Sequence, residues 1–481
     1  MGHHAGMTSA TDSANPRPAG TAGGPAAWPD RAHLDLHEEL HARPAMPARS
    51  AGVVSYWAQH GMDPGQALEA LNGLCRACGH SLPMAGARHF VLRSTDFDLK
   101  FERHGEFISW QVSAGLVTPV DWTDRPGLEQ ALLRSRAIDR LPDVFVRGIS
   151  PTPMLAATHV VLLRSAQSEF LEACQAVLQA NLVARTAAHD ADAALAELGD
   201  AASLLASRVS DGQAAVMTDL RLGADGFTRF VMVDMGLSAD RLARNVQRLC
   251  EIEAYRMLAM LGFPVARNEA AALNQIEVQL QTIVDDMAGA RTLDDAAAFD
   301  SLLKLAAEIE HGAARTRYRL SASRAYQRIV LQRLSDLREE RLLGLQKLAS
   351  FFNRRFAPAM ALCESTDARI TDIADRINRA VDLARVRVEA RREANNQELL
   401  RSLAHRQKLQ LRLQQTVEGL SVVAISYYTI SIVAYVAKAT MGVVLPGGIT
   451  VQPDVVTALA VLPVVGLVYA LVRRVRRRLD R

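Results

Sequence analysis

The chain has 481 residues, 49% of them hydrophobic and only 5% aromatic, with 55 basic and 52 acidic side chains that leave a net charge of +3. That length is enough for two or three domains with real cores. So balanced a charge creates no global basic field, which argues against nucleic acid as a partner. Alanine, leucine and arginine dominate, a composition that favours helix over sheet. The five cysteines, at positions 75, 78, 174, 250 and 363, are odd in number and irregular in spacing; they suit a reducing compartment better than a disulfide framework.

Residues 1–30 are rich in Ala, Gly, Pro, Ser and Thr, lack an apolar signal region and read as a disordered tail. Next comes His37-Glu38-Glu39-Leu40-His41, an H-E-x-x-H pattern. Two histidines four apart share a helix face and can hold zinc, with the glutamate as general base. The context argues against a zinc peptidase. Pro44 and Pro47 stop the helix that should continue behind the metal, Glu39 adds a charge inside the motif, and Glu69 is the best third ligand without any feature that marks it out. A short amphipathic helix packing through Leu34, Leu36 and Leu40 is the simpler expectation. Cys75-Arg76-Ala77-Cys78 is weighed in the same way. A metal ion held by His37, His41, Cys75 and Cys78 is conceivable, but a single Cys-x-x-Cys is ordinarily a pair of helix thiols.

Residues 31–235 are expected to form a cytoplasmic α+β domain with a mixed sheet. Strand-like runs occur at "HFVLRST", "DFDLKFE" and "EFISWQV", and again at "LLASRVS", "QAAVMTDLRL" and "FTRFVMVD". His104-Gly105, Asp211-Gly212 and Ala224-Asp225-Gly226 supply the turns. Residues 98–112 and 219–233 share Asp-Leu-basic-apolar followed by glycine seven residues after the aspartate, which raises the possibility of a duplicated three-strand meander; shared turn chemistry is the alternative.

Residues 236–419 read as a helical or coiled-coil stalk. Ser238 is placed to cap a helix that ends at Gly262 before Pro264. Further helices are expected at about 267–290, 293–316 and 320–352, with Pro358 as punctuation. From Asp367 to Gly419 nothing breaks the pattern, a helix of about 80 Å. Ile370, Ile373, Ile377, Val381, Ala384 and Val388 form an apolar seam along it that needs partners from the same chain or from other subunits.

Residues 420–439 and 455–472 are two apolar runs of 20 and 18 residues, each long enough to cross a bilayer, joined by a turn at Pro446-Gly447-Gly448. They are expected to form a transmembrane hairpin. Arg401, Arg406, Lys408 and Arg412 precede it, the basic tail 473–481 carries six arginines, and the connecting loop carries no Lys or Arg. Positive charge stays inside, so both termini are expected in the cytoplasm. Glu418, Ser421, Ile425, Tyr428, Ser431, Tyr435 and Lys438 share one face of the first run. Polar groups facing lipid are costly, so Ser421, Tyr428, Ser431 and Tyr435 are expected to face other subunits of a homo-oligomer, packing helices or lining a pore.

The segments "LHEELHARP", "FERHGEF", "DLRLGADGFTRFVMVD", "EIEAYRM", "LREERLLGLQ" and "LRLQQTVEGLSVVAISYY", spread over residues 36–428, resemble a bacterial family of membrane-anchored proteins, domain-of-unknown-function family 3422. The resemblance implies a cytoplasmic domain anchored in the bacterial inner membrane; it implies no reaction and leaves any cofactor open. The layout is also similar to that of CorA-type metal ion channels, which end their first span in Gly-Met-Asn. Here Thr440-Met441-Gly442 stands instead, so the likeness is architectural. The most specific expectation is a CorA-like two-span ion channel or transporter; a non-transporting membrane-tethered scaffold or sensor and, last, a zinc-dependent peptidase are the alternatives.

Overall fold

The computed structural model describes residues 45–116, 120–189, 203–289, 295–440 and 453–479. The tail 1–30, the His37/His41 pair and the loop 441–452 lie outside these described residues. In chain order the elements are β1 (Gly52–His60), α1 (Pro64–Ala77), β2 (His89–Arg93), β3 (Phe97–Arg103), β4 (Phe107–Gly115), α2 (Arg125–Arg134), a 3-10 turn (Ala137–Arg140), α3 (Asp143–Ile149), β5 (Ala156–Arg164), α4 (Ser168–His189), β6 (Leu205–Val209), β7 (Ala214–Thr218), β8 (Thr228–Asp234), α5 (Ala239–Met260), α6 (Gly262–Ala288), α7 (Asp295–Asp336), β9 (Glu340–Arg341), α8 (Leu348–Thr440) and α9 (Pro453–Leu479). The strands form one mixed sheet in the order β2-β3-β4-β1-β5-β8-β7-β6-β9, antiparallel throughout except for the β5–β8 pair.

The central strands are buried on both faces, which is why β1 reads "VVSYWA" rather than alternating apolar and polar. Val53 and Trp57 join the core beneath α1 to α4, with Leu71, Leu132, Phe145 and Phe170 opposite them. On the reverse face α5 packs against β5 and β1. Trp57 stacks on Trp110 with centroids 6.4 Å apart, and Phe145 meets Trp110 edge-on at 5.1 Å. The indole Nε1 of Trp110 donates to Gln59 Oε1 at 3.0 Å, while Gln59 Nε2 donates to the carbonyls of Ile149 (2.8 Å) and Thr152 (2.6 Å). A buried amide whose bonding capacity is used in this way ties α3 to the sheet at little desolvation cost.

Both expected meanders are present as β2-β3-β4 and β6-β7-β8. Their relation is looser than the sequence pattern suggests. Asp98 lies within β3, whereas Asp219 to Leu222 fall beyond the end of β7. Moreover β4 joins β1 antiparallel, but β8 joins β5 parallel, so the two meanders meet their inner strands in opposite senses. At the Asp211-Gly212 turn, Ser210, Asp211 and Gly212 all have positive φ (55°, 59° and 75°), the left-handed run that lets a short loop reverse the chain.

The helical half differs from expectation in three places. Residues 293–316 and 320–352 are not two helices: α7 runs unbroken from 295 to 336, and 337–347 leave the helix altogether. There Arg338 and Leu343 take positive φ, β9 pairs with β6, Leu342 enters the core, and Ala206 N donates to Gln346 O at 3.1 Å. Tertiary pairing therefore overrides the helix-favouring composition of "LREERLLGLQ". Pro358 does not punctuate but sits inside α8 near its start, where one lost hydrogen bond is tolerated among buried Phe352, Phe356 and Met360. Pro264 lies in the first turn of α6, which begins at Gly262 directly after α5, and Ser238 makes no side-chain cap bond.

The chain divides into two compact units, Met1–Ile276 with Ile309–Ile373, and Glu277–Glu308 with Ala374–Arg481. α5 supplies the second layer on the sheet and lies in the first of these units. In the second unit the ends of α6 and α7 flank α8, and Ile377, Val381 and Ala384 of the seam are buried there. Arg387 Nη1 donates to Met287 O, and Arg391 pairs with Asp295 at 2.9 Å, so the chain's own helices cover this part of the seam.

Trp110→Ala is expected to cost about 3–5 kcal/mol of stability, and Trp110→Phe, which keeps a ring but strands Gln59 Oε1, about 1–3 kcal/mol. Urea unfolding of the detergent-solubilised chain followed by circular dichroism checks both; equal losses for the two would contradict the role given to the Gln59 bond.

Candidate functional site

Two helices, α8 in its final part and α9, are long and apolar enough to cross a membrane, with mean hydropathy of 1.8 and 2.6 over their most apolar windows. In the first of these, burial is confined to a face marked by Ser426 and Ala437. Tyr428 (68% exposed) and Tyr435 (79%) lie away from it, Ser421 is exposed and Ser431 half-buried. The serine hydroxyls do not reach out. Ser421 Oγ donates to Val417 O and Ser431 Oγ to Tyr427 O, each one turn back on the same helix. The chain thus leaves positions 421, 428 and 435 of this face uncovered and 431 partly covered, with the tyrosines as its projecting polar groups.

Cys75 is buried in the core in the last turn of α1, and Cys78 caps that helix, its N–H donating to Leu74 O at 3.0 Å. Burial pushes both thiols up from their ordinary range, away from the thiolate that binds metal or attacks disulfides. Among the described residues no group of three or more His, Cys, Asp or Glu is placed to hold a metal ion. His37 and His41 lie outside the described residues.

The chemistry-bearing geometry lies elsewhere, around His159 in the middle of β5. Its imidazole is fully buried and stacks on Phe227 at 4.1 Å with the rings 4° from parallel. Ser55 Oγ on β1 sits 2.9 Å from Nδ1, and the same oxygen accepts the backbone N–H groups of Ala137 (2.9 Å) and Ile138 (3.1 Å). With both acceptor positions taken, the hydroxyl proton is directed at Nδ1, so Nε2 carries the ring hydrogen. Nε2 faces Asp225 Oδ2 across 3.4 Å, a long contact. Serine, histidine and aspartate in a row suggest a hydrolase triad, but the arrangement runs the other way. In a triad the serine meets Nε2 and the acid meets Nδ1. Here the serine also has no exposure to a substrate. The chain of contacts positions structure: it ties β1, β5, the 3-10 turn and the β7–β8 loop together.

That loop, 219–227, is held by its own side chains. Asp219 Oδ1 accepts Arg221 N (3.0 Å), Asp225 Oδ1 accepts Phe227 N (3.2 Å), and Thr218 Oγ1 accepts Leu220 N (3.0 Å). A Cβ at Gly223 would lie 2.6 Å from Asp225 Oδ1, so the loop closes on its carboxylate only with glycine there. Beside the loop opens a cleft of 720 Å³, walled by Arg134, Arg136, Arg185, Arg221 and Arg229 with Asp219 and Asp225, over a floor that includes Leu133, Leu178, Leu204 and Phe227. Both carboxylates are engaged: Asp219 with Arg185 at 3.1 Å, and Asp225 with His159 and, at 3.4 Å, Arg229. The contact from His159 is the largest influence that pushes Asp225 down to about 2, against partial burial. Burial depresses His159 below the usual imidazole range, aided by the charge of Arg229 and opposed by Asp225. Burial also lowers Arg229, and the neighbouring Arg136 and Arg185 add to the effect. Sequence reading found the Asp-Gly turn of this loop but not the cleft, whose arginines come from four separate segments.

The family model described as "Protein of unknown function (DUF3422)" matches residues 27–479. The chain belongs to that family. No curated protein and no solved structure matches it.

His159 resists protonation when folded, so it adds stability above the ordinary imidazole range and loses it as pH falls through that range toward its depressed folded value. Thermal unfolding between about pH 7.5 and about pH 5 is expected to show this loss in the native chain and a flatter profile in His159→Gln. Identical profiles would contradict the assignment.

Proposed function

We propose that this chain is a homo-oligomeric protein of the bacterial inner membrane whose sheet-bearing fold is held on the cytoplasmic side as a scaffold or sensor. One observation carries the reading. Every residue from Glu389 to Val417 is exposed, although the stretch carries Leu399, Leu400, Leu403, Leu409, Leu411 and Leu413 and leads directly into an apolar span. Covering a leucine of this kind is worth roughly 1.5 kcal/mol or more, and a lone helix with so much apolar surface in water calls for neighbours. Other copies of the same chain suit the place, because the span that follows fixes them parallel and at the same depth. The uncovered positions 421, 428 and 435 follow on the same helix and support the same partner. The distribution of Lys and Arg around the spans supports cytoplasmic termini.

An ion conduit of CorA-like layout is the second reading, favoured by the uncovered tyrosine face. It is placed second because that face carries no carboxylate between Glu418 and Lys438, and its serine hydroxyls are spent on their own helix.

In membranes, a chain with Tyr428→Cys as its only added thiol is expected to form disulfide-linked dimers on mild oxidation, while Val468→Cys, at a covered position, is not. A chain that remains monomeric in detergent and gives no cross-link at position 428 would overturn the assembly. Ion flux into liposomes that Tyr428→Ala alters would promote the conduit over the scaffold; liposomes tight to all ions would remove the conduit.

A further inference from the structure

The cleft beside the 219–227 loop is a concave, strongly charged feature of the sheet-bearing unit that no part of the assembly reading uses. Five guanidinium groups line it against two carboxylates, and both carboxylates are already held. Arg185 is fixed in place, its Nη1 on Asp219 and its Nη2 on Leu222 O; Arg229 is fixed by Ser135 O at 3.0 Å and by Asp225. Arg136 holds Asp139 at 2.9 Å through Nε alone. Arg134 has no carboxylate partner among the described residues, and its exposed side chain stands at the rim. Like charges gathered in a partly desolvated hollow repel one another, so Arg136 and Arg185 lower Arg229, while Asp225 and Asp219 offset part of that cost. The guanidinium fork matches phosphate and carboxylate oxygens in pairs, which a lysine cannot do. The space is that of a small-ligand site rather than of a single ion, and its floor is apolar.

We propose that this cleft binds a small organic phosphate, with the phosphate group between Arg136, Arg185 and Arg229 and the organic part over Leu133, Leu178 and Phe227. Asp225, which closes the loop on Phe227 N, also pairs with Arg229 and so sets that guanidinium at the cleft. A soluble phosphate ester and the headgroup of an anionic lipid present the same oxygens, so the chemistry is shared and the source is decided by test. The site does not depend on the assembly of copies, and its failure would leave the membrane reading untouched.

The test is calorimetric titration of the full chain, purified in phospholipid-free detergent at low ionic strength, with inorganic pyrophosphate as the probe. Saturable binding at one site per chain is expected. Arg136→Gln and Arg185→Gln should each weaken it about tenfold or more, while Arg241→Gln, whose partners Gln213 and Asp211 lie outside the cleft, should leave it unchanged. Arg136 is partly exposed, so its variant keeps the test readable if Arg185→Gln unfolds. Displacement of pyrophosphate by a short-chain phosphatidic acid below its micellar concentration would assign a lipid headgroup; displacement by adenosine monophosphate alone would assign a soluble ester. Absence of saturable binding, equal weakening by Arg241→Gln, or indifference to both cleft variants would overturn the site.

Discussion

A neutral imidazole at the centre of the sheet is the constraint on which the functional surface of this protein depends. His159 is removed from bulk solvent, which disfavours its charged form, so it keeps one nitrogen as acceptor and one as donor. Ser55 satisfies the acceptor, and it can do so only because the 3-10 turn at Ala137 brings two backbone N–H groups to its oxygen. The donor has no partner within hydrogen-bond geometry and lies 3.4 Å from Asp225 Oδ2, while the other oxygen of Asp225 closes the β7–β8 loop on Phe227 N. Segments distant in sequence meet around one ring, and beside them Arg134, Arg136, Arg185, Arg221 and Arg229 line one cleft. The likeness to a hydrolase triad is one of residue types alone; the nitrogens are exchanged and the hydroxyl is saturated.

The same principle, that polar groups removed from water must be answered locally, governs the other end of the chain. In the apolar part of α8 the serines answer themselves by bonding one turn back. The tyrosines cannot, since a phenol reaches past its own backbone, and they remain as the projecting groups of an uncovered face. Above them a long exposed run of leucines and cations continues the helix. The chain's own helices cover the seam at Ile377, Val381 and Ala384 and leave the following stretch bare.

Much of the fold was legible because local rules and tertiary context agreed. The strands around His104-Gly105 and Asp211-Gly212, the long α8 and the two apolar spans follow from turn chemistry, period and length. Legibility failed where long-range pairing decided. "LREERLLGLQ" has helical composition, yet its backbone is captured by the edge strand β6. Pro358 looks like a boundary and is absorbed by packing. The matched stretches 98–112 and 219–233 differ in structure, since Asp98 to Phe101 lie in a strand and Asp219 to Leu222 in a loop. The H-E-x-x-H pattern attracts attention through residue types, but the structure does not describe it. The arginine cleft drew none, because its members lie at 134, 136, 185, 221 and 229 and no linear pattern links them.

The most direct probe of the central constraint is the state of the His159 ring. A long-range proton–nitrogen correlation spectrum of the histidine-labelled full chain near neutral pH, with His159→Gln to assign the signal, reads protonation and tautomer together. The account predicts a neutral ring with hydrogen on Nε2 and a bare Nδ1, unchanged well into the acid side of the usual imidazole range. A charged ring at neutral pH, or hydrogen on Nδ1, would contradict it, for then Ser55 could not be the donor.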